Sequence, residues 1–271
     1  MGTENRQIQM VVFDWAGTTV DYGSSAPSVV FDRVLTAVGL HLTREEINRP
    51  MGLEKKAHIR QLLSSESGSA QWQQLYGRVW SEQDVDKLYE TFEATLHTVV
   101  AEYSTPLPGV AETVDKLRGM GLKIGSTTGY NSAMMAEVLP VAKAAGYAAD
   151  CVVTPDVTGI GRPAPFMVFE CMRQLNVYPP RCVVKVGDTV VDMQEGKNAG
   201  AFAIGILTGS NLLGLTKEEY DAMPAELLAQ RKQVAADRYR AAGADLVIDS
   251  IRDLPAAIET LNERLRKEGS L

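Results

Sequence analysis

Six short apolar runs divide the chain, at residues 9–13, 122–125, 151–153, 182–186, 201–206 and 245–248, and each closes on a polar or glycine-bearing loop. Segments of helical periodicity lie between them, at 109–120, 133–145, 165–175 and 192–199. Runs this short suit strands covered on both faces, and an intervening helix is the connection that parallel strands require. The spacing predicts an α/β fold built on a doubly wound, Rossmann-like parallel sheet.

One stretch breaks the alternation. From Tyr22 to Val100 the sequence carries helical periodicity and no convincing strand, and Ser-Ser-Glu-Ser-Gly-Ser at 64–69 reads as a loop between helices. A helical insert directly after the first strand cannot lie in the sheet. It reads as a small all-helical cap domain over 22–100, with the core formed by 1–21 and 101–271. Gly23-Ser24-Ser25 and Ser-Thr-Pro-Leu-Pro-Gly at 104–109 mark the two hinges. With 271 residues, 45% of them hydrophobic, the chain has enough apolar surface to bury a core in both parts.

Charge and cysteine usage exclude several partners. The 27 basic and 34 acidic residues give a net charge of −7 with no basic run, which argues against nucleic acid. No stretch approaches the roughly 18 apolar residues that span a bilayer, and no signal-type segment is evident, so the expectation is a cytoplasmic protein without a membrane partner. Cys151, Cys171 and Cys182 form an odd set at no metal-ligand spacing and read as reduced, buried small hydrophobes.

In an open parallel sheet, ligands bind where strands end at their carboxyl edge. Asp14 follows the first run, Ser126-Thr127-Thr128-Gly129-Tyr130 the second, Gly161-Arg162-Pro163 the third, and Gly187-Asp188-Thr189-Val190-Val191-Asp192 the fourth. Singly, each has a structural reading: Asp14 as a helix cap, Asp188 and Asp192 as first-turn charges, Thr128 as a turn residue and Arg162 as an ion-pair arginine. Together they supply a carboxylate nucleophile, a hydroxyl, a cation and a carboxylate pair, the set needed for phosphoryl transfer with a divalent metal.

These four ordered motifs resemble those of the haloacid dehalogenase-like (HAD) phosphotransferases. More narrowly, Phe13-Asp14-Trp15-Ala16-Gly17-Thr18-Thr19-Val20-Asp21-Tyr22-Gly23, Pro50-Met51-Gly52-Leu53 with Lys55, the segment 124–130 and Lys185 to Asp188 resemble the phosphonoacetaldehyde hydrolase (phosphonatase) family. The similarity runs over nearly the whole chain and includes two oddities. Ala16 stands where HAD phosphatases usually carry an aspartate that protonates an oxygen leaving group, and a lysine lies in the insert. The two belong together chemically. Cleaving a carbon–phosphorus bond leaves electrons on carbon, and an imine formed by a primary amine with a neighbouring aldehyde is the electron sink that accepts them.

The resemblance implies hydrolysis of phosphonoacetaldehyde to acetaldehyde and phosphate in 2-aminoethylphosphonate breakdown, with Asp14 as nucleophile and Lys55 as Schiff-base lysine. Lys56 is a rival on sequence alone, but on a helix Lys55 shares a face with His58 at i+3 and Lys56 does not. A lysine has to be partly neutral to attack an aldehyde, against an ordinary pKa of about 10.4, and desolvation or a neighbouring cation would lower it. The resemblance further implies Mg2+ on Asp14, Asp188 and the Ala16 carbonyl, with Asp192 supporting that shell, and hard oxygen donors suit this ion. Thr128, Gly129 and Arg162 are then phosphonate-binding, Met51 and Gly52 lie on the loop that brings the insert to the substrate, and Tyr130 and His58 assist proton movement. A homodimer through insert helices is implied too, with Val29, Val30, Val34 and Leu35 as contact candidates, although packing within the insert explains the same residues. Three other functions stay open: a HAD phosphatase or phosphomutase for oxygen esters, a metal-independent imine-forming lyase, and a non-catalytic scaffold.

Overall fold

The computed structural model describes residues 7–268; residues 1–6 and 269–271 of the predicted core segments lie outside the described residues. The strands are β1 (Met10–Phe13), β2 (Lys123–Thr127), β3 (Cys151–Val153), β4 (Val183–Gly187), β5 (Phe202–Ile206) and β6 (Leu246–Ile248). They form one all-parallel sheet in the order β3-β2-β1-β4-β5-β6. Each predicted run is a strand, displaced by at most two residues at either end. The chain builds β2 and β3 outward on one side of β1, then returns to lay β4 on its other side. That reversal opens a crevice at the carboxyl ends of β1 and β4.

The helices are α1 (Ser25–Ala37), α2 (Arg44–Asn48), α3 (Lys55–Ser64), α4 (Glu66–Tyr76), α5 (Glu82–His97), α6 (Val110–Gly119), α7 (Ser132–Ala144), α8 (Pro155–Thr158), α9 (Phe166–Leu175), α10 (Val190–Asn198), α11 (Lys217–Ala222), α12 (Ala225–Ala241) and α13 (Leu254–Glu268). Strand alternation sends β1 side chains to opposite faces. Val11 and Phe13 join a cluster with Val114 and Leu117 of α6 and Ile258 of α13, while Met10 and Val12 join Met167 and Val168 of α9.

Helices α1 to α5 form the insert. Along α5, Val85, Leu88, Phe92 and Leu96 are buried, a helical stripe that packs on α1 and α3. Phe92 stacks on Phe31 with ring centroids 4.2 Å apart. The insert's apolar residues are continuous with the cluster on one sheet face. The expected loop at 64–69 is a single residue: Ser65 ends α3, caps α4 by accepting from the Gly68 amide at 3.0 Å, and the remainder is helix. Small polar composition reads as loop, but serine at an N-cap starts a helix instead. Three of the proposed contact residues, Val30, Val34 and Leu35, are buried inside the insert, and Val29 alone is exposed, at 44%. At the first chain crossing, Asp21, Gly23 and Ser24 all take left-handed backbone, with φ of 56°, 73° and 54°.

Candidate active site

The end of β1 positions Asp14, whose N–H donates to the Val186 carbonyl at 2.9 Å and so ties it to β4. Asp188 follows β4, and Asp192 occupies the first turn of α10, where it and Thr189 cap the helix reciprocally. Carboxylate oxygens of Asp14, Asp188 and Asp192 lie within 4.8 Å of one another, and all three residues are buried. Like charges this close, removed from water, cannot all ionise without nearby cations.

Two cations are already present. Arg162 contacts Asp14 Oδ1 at 2.7 Å, Asp192 Oδ1 at 3.0 Å and Glu195 Oε2 at 3.1 Å. Lys185 contacts Asp192 at 3.0 Å and Glu195 at 3.1 Å, and both cations donate to Thr127 Oγ1. Burial pushes Asp192 up, but Arg162 and Lys185 outweigh it and hold its carboxyl low. Burial raises Asp14 against the pull of Arg162. Asp188 has no such partner: no cation pairs with it among the described residues, and it accepts from the neutral donors Thr18 Oγ1 at 3.1 Å, Ser24 Oγ at 3.5 Å and the Asn211 amide at 2.8 Å. Burial, then the Asp14 and Asp192 charges, push its carboxyl well above the usual range. The donor set therefore fits a divalent cation shared by Asp14 and Asp188. The Ala16 carbonyl, which accepts from Ser24 Oγ at 3.1 Å, borders the same space. Asp192, committed to Arg162, Lys185 and Thr189, stands behind that pair as support.

The insert supplies the other wall. A cavity of about 20 Å³ is bounded by Asp14, Ala16 and Arg162 from the core, by Met51, Gly52 and Lys55 from the insert, and by Thr128, Gly129 and Tyr130. A larger cavity of about 770 Å³ shares Lys55, Gly129 and Arg162 with it and opens outward. Lys55 is the first residue of α3, just past the Glu54 cap, and its side chain is buried. Its Nζ lies 3.9 Å from Met51 Sδ and 5.1 Å from the centre of the Tyr130 ring, with no carboxylate ion pair among the described residues. Desolvation lowers the Lys55 pKa to about 8, with the Arg162 charge in the same direction and Asp14 opposing. The positive end of α3 also disfavours the ammonium. Lys56 points away and pairs with Asp86 at 2.7 Å on the surface.

Gly52 and Gly129 sit where insert and core touch. A Cβ on Gly129 would lie 2.6 Å from the Leu53 carbonyl, and Gly52, at φ 94°, would place one 2.5 Å from Thr189 Oγ1. Thr128 Oγ1 accepts from the Tyr130 amide at 3.1 Å. Burial, reinforced by Asp21 and Asp14, raises the Tyr130 hydroxyl well above 10, so it keeps its proton. His58 Nε2 lies 2.8 Å from the Ile47 carbonyl, which can only accept, so Nδ1 is the bare nitrogen, and it has no partner among the described residues. Burial and the nearby Lys55 hold this imidazole well below 6.5 and neutral.

Sequence reasoning passed over Thr127, Lys185 and Glu195 as site residues. A signal existed for Lys185, since a lysine inside a run that reads as a doubly covered strand needs buried acceptors. Glu195 falls at i+3 from Asp192 on the same helix face. Asp21 was also missed; burial lifts its carboxyl to about 7 although the Ser25 and Ala26 amides donate to it.

The switch-point aspartates, the buried cations and the sheet order define a haloacid dehalogenase-like hydrolase, and the family profile of that description matches residues 8–200. The chain is 45% identical over 258 residues to a phosphonoacetaldehyde hydrolase of Bacillus cytotoxicus, covering 95% of this chain and 98% of that one. It is 46% identical over 260 residues to one of Bacteroides fragilis, covering 96% and 99%. A crystal structure of a phosphonoacetaldehyde hydrolase-like protein from Oleispira antarctica superposes with a TM-score of 0.93 at 35% identity, over 96% of this chain and 94% of that one. The chain belongs to the phosphonoacetaldehyde hydrolase family of haloacid dehalogenase-like hydrolases. No described helix is long and apolar enough to cross a membrane.

Proposed function

We propose that the protein hydrolyses the carbon–phosphorus bond of phosphonoacetaldehyde, releasing acetaldehyde and phosphate, with the helical insert acting as a cap. The observation that carries this reading is the Lys55 amine: it is buried in the cavity that also holds Asp14, lacks a carboxylate partner, and is lowered to about 8. A phosphatase has no use for such an amine, and Ala16 leaves no acid beside Asp14 for an alkoxide.

The residues divide the reaction as follows. Arg162, Thr128 and the Gly129 turn bind the phosphonate, with the guanidinium, already held by Asp14, Asp192 and Glu195, supplying a fixed positive charge. Neutral Lys55 adds to the aldehyde carbon, and loss of water gives the iminium. Asp14 attacks phosphorus, the carbon–phosphorus bond breaks, and its electron pair flows into the iminium to leave an enamine on Lys55 and an acyl phosphate on Asp14. Protonation at carbon and hydrolysis release acetaldehyde and free Lys55, and a second water cleaves the acyl phosphate. Tyr130, still protonated, and the bare Nδ1 of His58 serve these proton movements, while Met51 packs its thioether on the amine. Mg2+ held by Asp14, Asp188 and the Ala16 carbonyl, backed by Asp192, would supply charge neutralisation at the phosphoryl group. In this reading the substrate comes from 2-aminoethylphosphonate breakdown and the protein works as a cytoplasmic homodimer, for which Val29 is the exposed contact candidate on α1.

The test is product release from phosphonoacetaldehyde with Mg2+. Equimolar phosphate and acetaldehyde from wild type, near-silence from Lys55→Arg, and borohydride trapping of substrate on wild type alone are expected. Inactivity towards phosphonoacetaldehyde combined with turnover of aryl phosphates would sink the proposal.

A further inference from the structure

A further cavity lies at the seam between insert and core and shares no lining residue with the two cavities around Lys55. Its volume is about 640 Å³, and it is bounded by α2 of the insert, by α12 and by the loop 211–215. Four arginines line it, Arg44 and Arg49 from the insert side, Arg231 and Arg238 from α12, against two glutamates, Glu45 and Glu219. That surplus of positive charge stands out in a chain of net charge −7. Arg44 is engaged by Glu219 at 3.1 Å and Arg231 reaches the Leu213 carbonyl at 3.5 Å, but Arg49 and Arg238 have no side-chain hydrogen bond or ion pair among the described residues.

The inner wall offers donors as well. Asn211, only 4% exposed, lines the cavity, and its Nδ2 is buried without a hydrogen-bond partner among the described residues. Asn48 spends its Oδ1 on the Ser28 hydroxyl at 2.5 Å, which leaves its amide NH2 as the free end. That Nδ2 sits 3.5 Å from where a Cβ on Gly214 would lie, against the same loop as Asn211. A buried donor without an acceptor is costly, and Asn211 Nδ2 lines the same cavity as two exposed guanidinium groups without an ion pair, so a multivalent acceptor would serve both. Tetrahedral oxyanions satisfy both, since arginine forks and amide N–H groups bind neighbouring oxygens of one group.

We propose that this groove is a binding site for a small phosphate-type oxyanion, separate from the catalytic cavity, whose occupant joins the insert to the core. Bound there, the anion contacts α2 on one side of the seam and α12 on the other. It also meets the loop whose Asn211 N–H holds Asp188 Oδ2 at 2.8 Å. Occupancy therefore favours the closed insert and steadies the carboxylate assigned to the metal.

The experiment is hydrogen exchange with inorganic phosphate, against chloride at matched ionic strength, on wild type and on Arg162→Ala with Mg2+ present. Arg162→Ala weakens the catalytic cavity, and protection that survives in it but is lost with Arg49 and Arg238 belongs to the groove. Amides of α2 and of 210–214 should exchange more slowly in both proteins, by about tenfold once phosphate reaches ten times its Kd. Arg49→Ala combined with Arg238→Ala should abolish this protection while leaving hydrolysis measured without added phosphate unchanged. Asn48→Asp, which replaces a donor with an acceptor, should abolish it too. Protection that chloride reproduces, that survives loss of both arginines, or that vanishes in Arg162→Ala overturns the proposal. Because the readout is phosphate binding, its outcome is independent of which bond the catalytic cavity cleaves.

Discussion

Burying the Lys55 amine costs stability in a way that pH reveals. The unfolded chain holds its proton to about pH 10.4, whereas burial lowers the folded value to about 8. Below pH 8 the folded state therefore carries a charged amine it disfavours, and the penalty lifts as pH rises from 8 towards 10.5, where the unfolded chain alone stays protonated. Two outcomes follow from that sign. The kcat/KM for phosphonoacetaldehyde should climb with pH and level off above about 8, as the neutral amine fills; a profile flat from pH 6 to 9 would remove Lys55 as nucleophile. Lys55→Met, a swap of similar length, should abolish turnover yet stabilise the protein at pH 7 by up to roughly 3 kcal/mol, the equivalent of that pKa drop. Urea denaturation at pH 7 and pH 10.5 checks it, because the gain should shrink at the higher pH.

At the scale of elements, the site is a contact between two loops rather than the property of either. The turn at Met51–Leu53 of the insert meets the turn after β2, and the approach is close enough that Gly129 has no room for a methyl group. Gly129→Ala should keep the far-UV spectrum of wild type and lower kcat/KM by about tenfold or more, since a misplacement of about 1 Å at a reacting group costs of order a hundredfold. Wild-type kinetics from that variant would show that the seam yields easily. This dependence on contact also sets what the sequence revealed. Strand positions and their order of polar endings were legible because period and turn chemistry are local. Asp14, Lys55, Thr128, Arg162 and Asp188 could be named from their place after a strand or in a motif. The meeting of Lys185 and Glu195 at Thr127 forms only when β2, β4 and α10 pack, so the strand lysine and the i+3 spacing from Asp192 hint at buried partners without saying which side chain they share. The Ser65 junction was misread for the converse reason: its composition is that of a loop, but the carbonyls and amides it caps belong to two helices.

For the whole molecule, the reversal of strand order at β1 brings two carboxylates to one crevice, and the fold balances only one of them internally. Arg162 answers Asp14, while Asp188 meets neutral donors and has its carboxyl pushed up by burial. In metal-free protein Asp188 thus holds its proton to a higher pH than the unfolded chain, whose ordinary value is about 3.9, so its contribution to stability is present at low pH and declines as pH rises. A bound divalent cation replaces that proton. Mg2+ at a hundred times its Kd should stabilise wild type by about 2.7 kcal/mol, raising Tm by roughly 5 °C or more for a chain this long. Asp188→Asn should behave oppositely on both counts. Without metal it should melt above wild type at pH 7, because it no longer buries a carboxyl whose anion is disfavoured there, and added Mg2+ should leave its Tm unchanged. Melting both proteins with and without Mg2+ separates the cases: an equal Mg2+ shift in the two would place the cation elsewhere, and a lower metal-free Tm in the variant would mean that the Asn211 and Thr18 hydrogen bonds, rather than charge, dominate at this carboxylate.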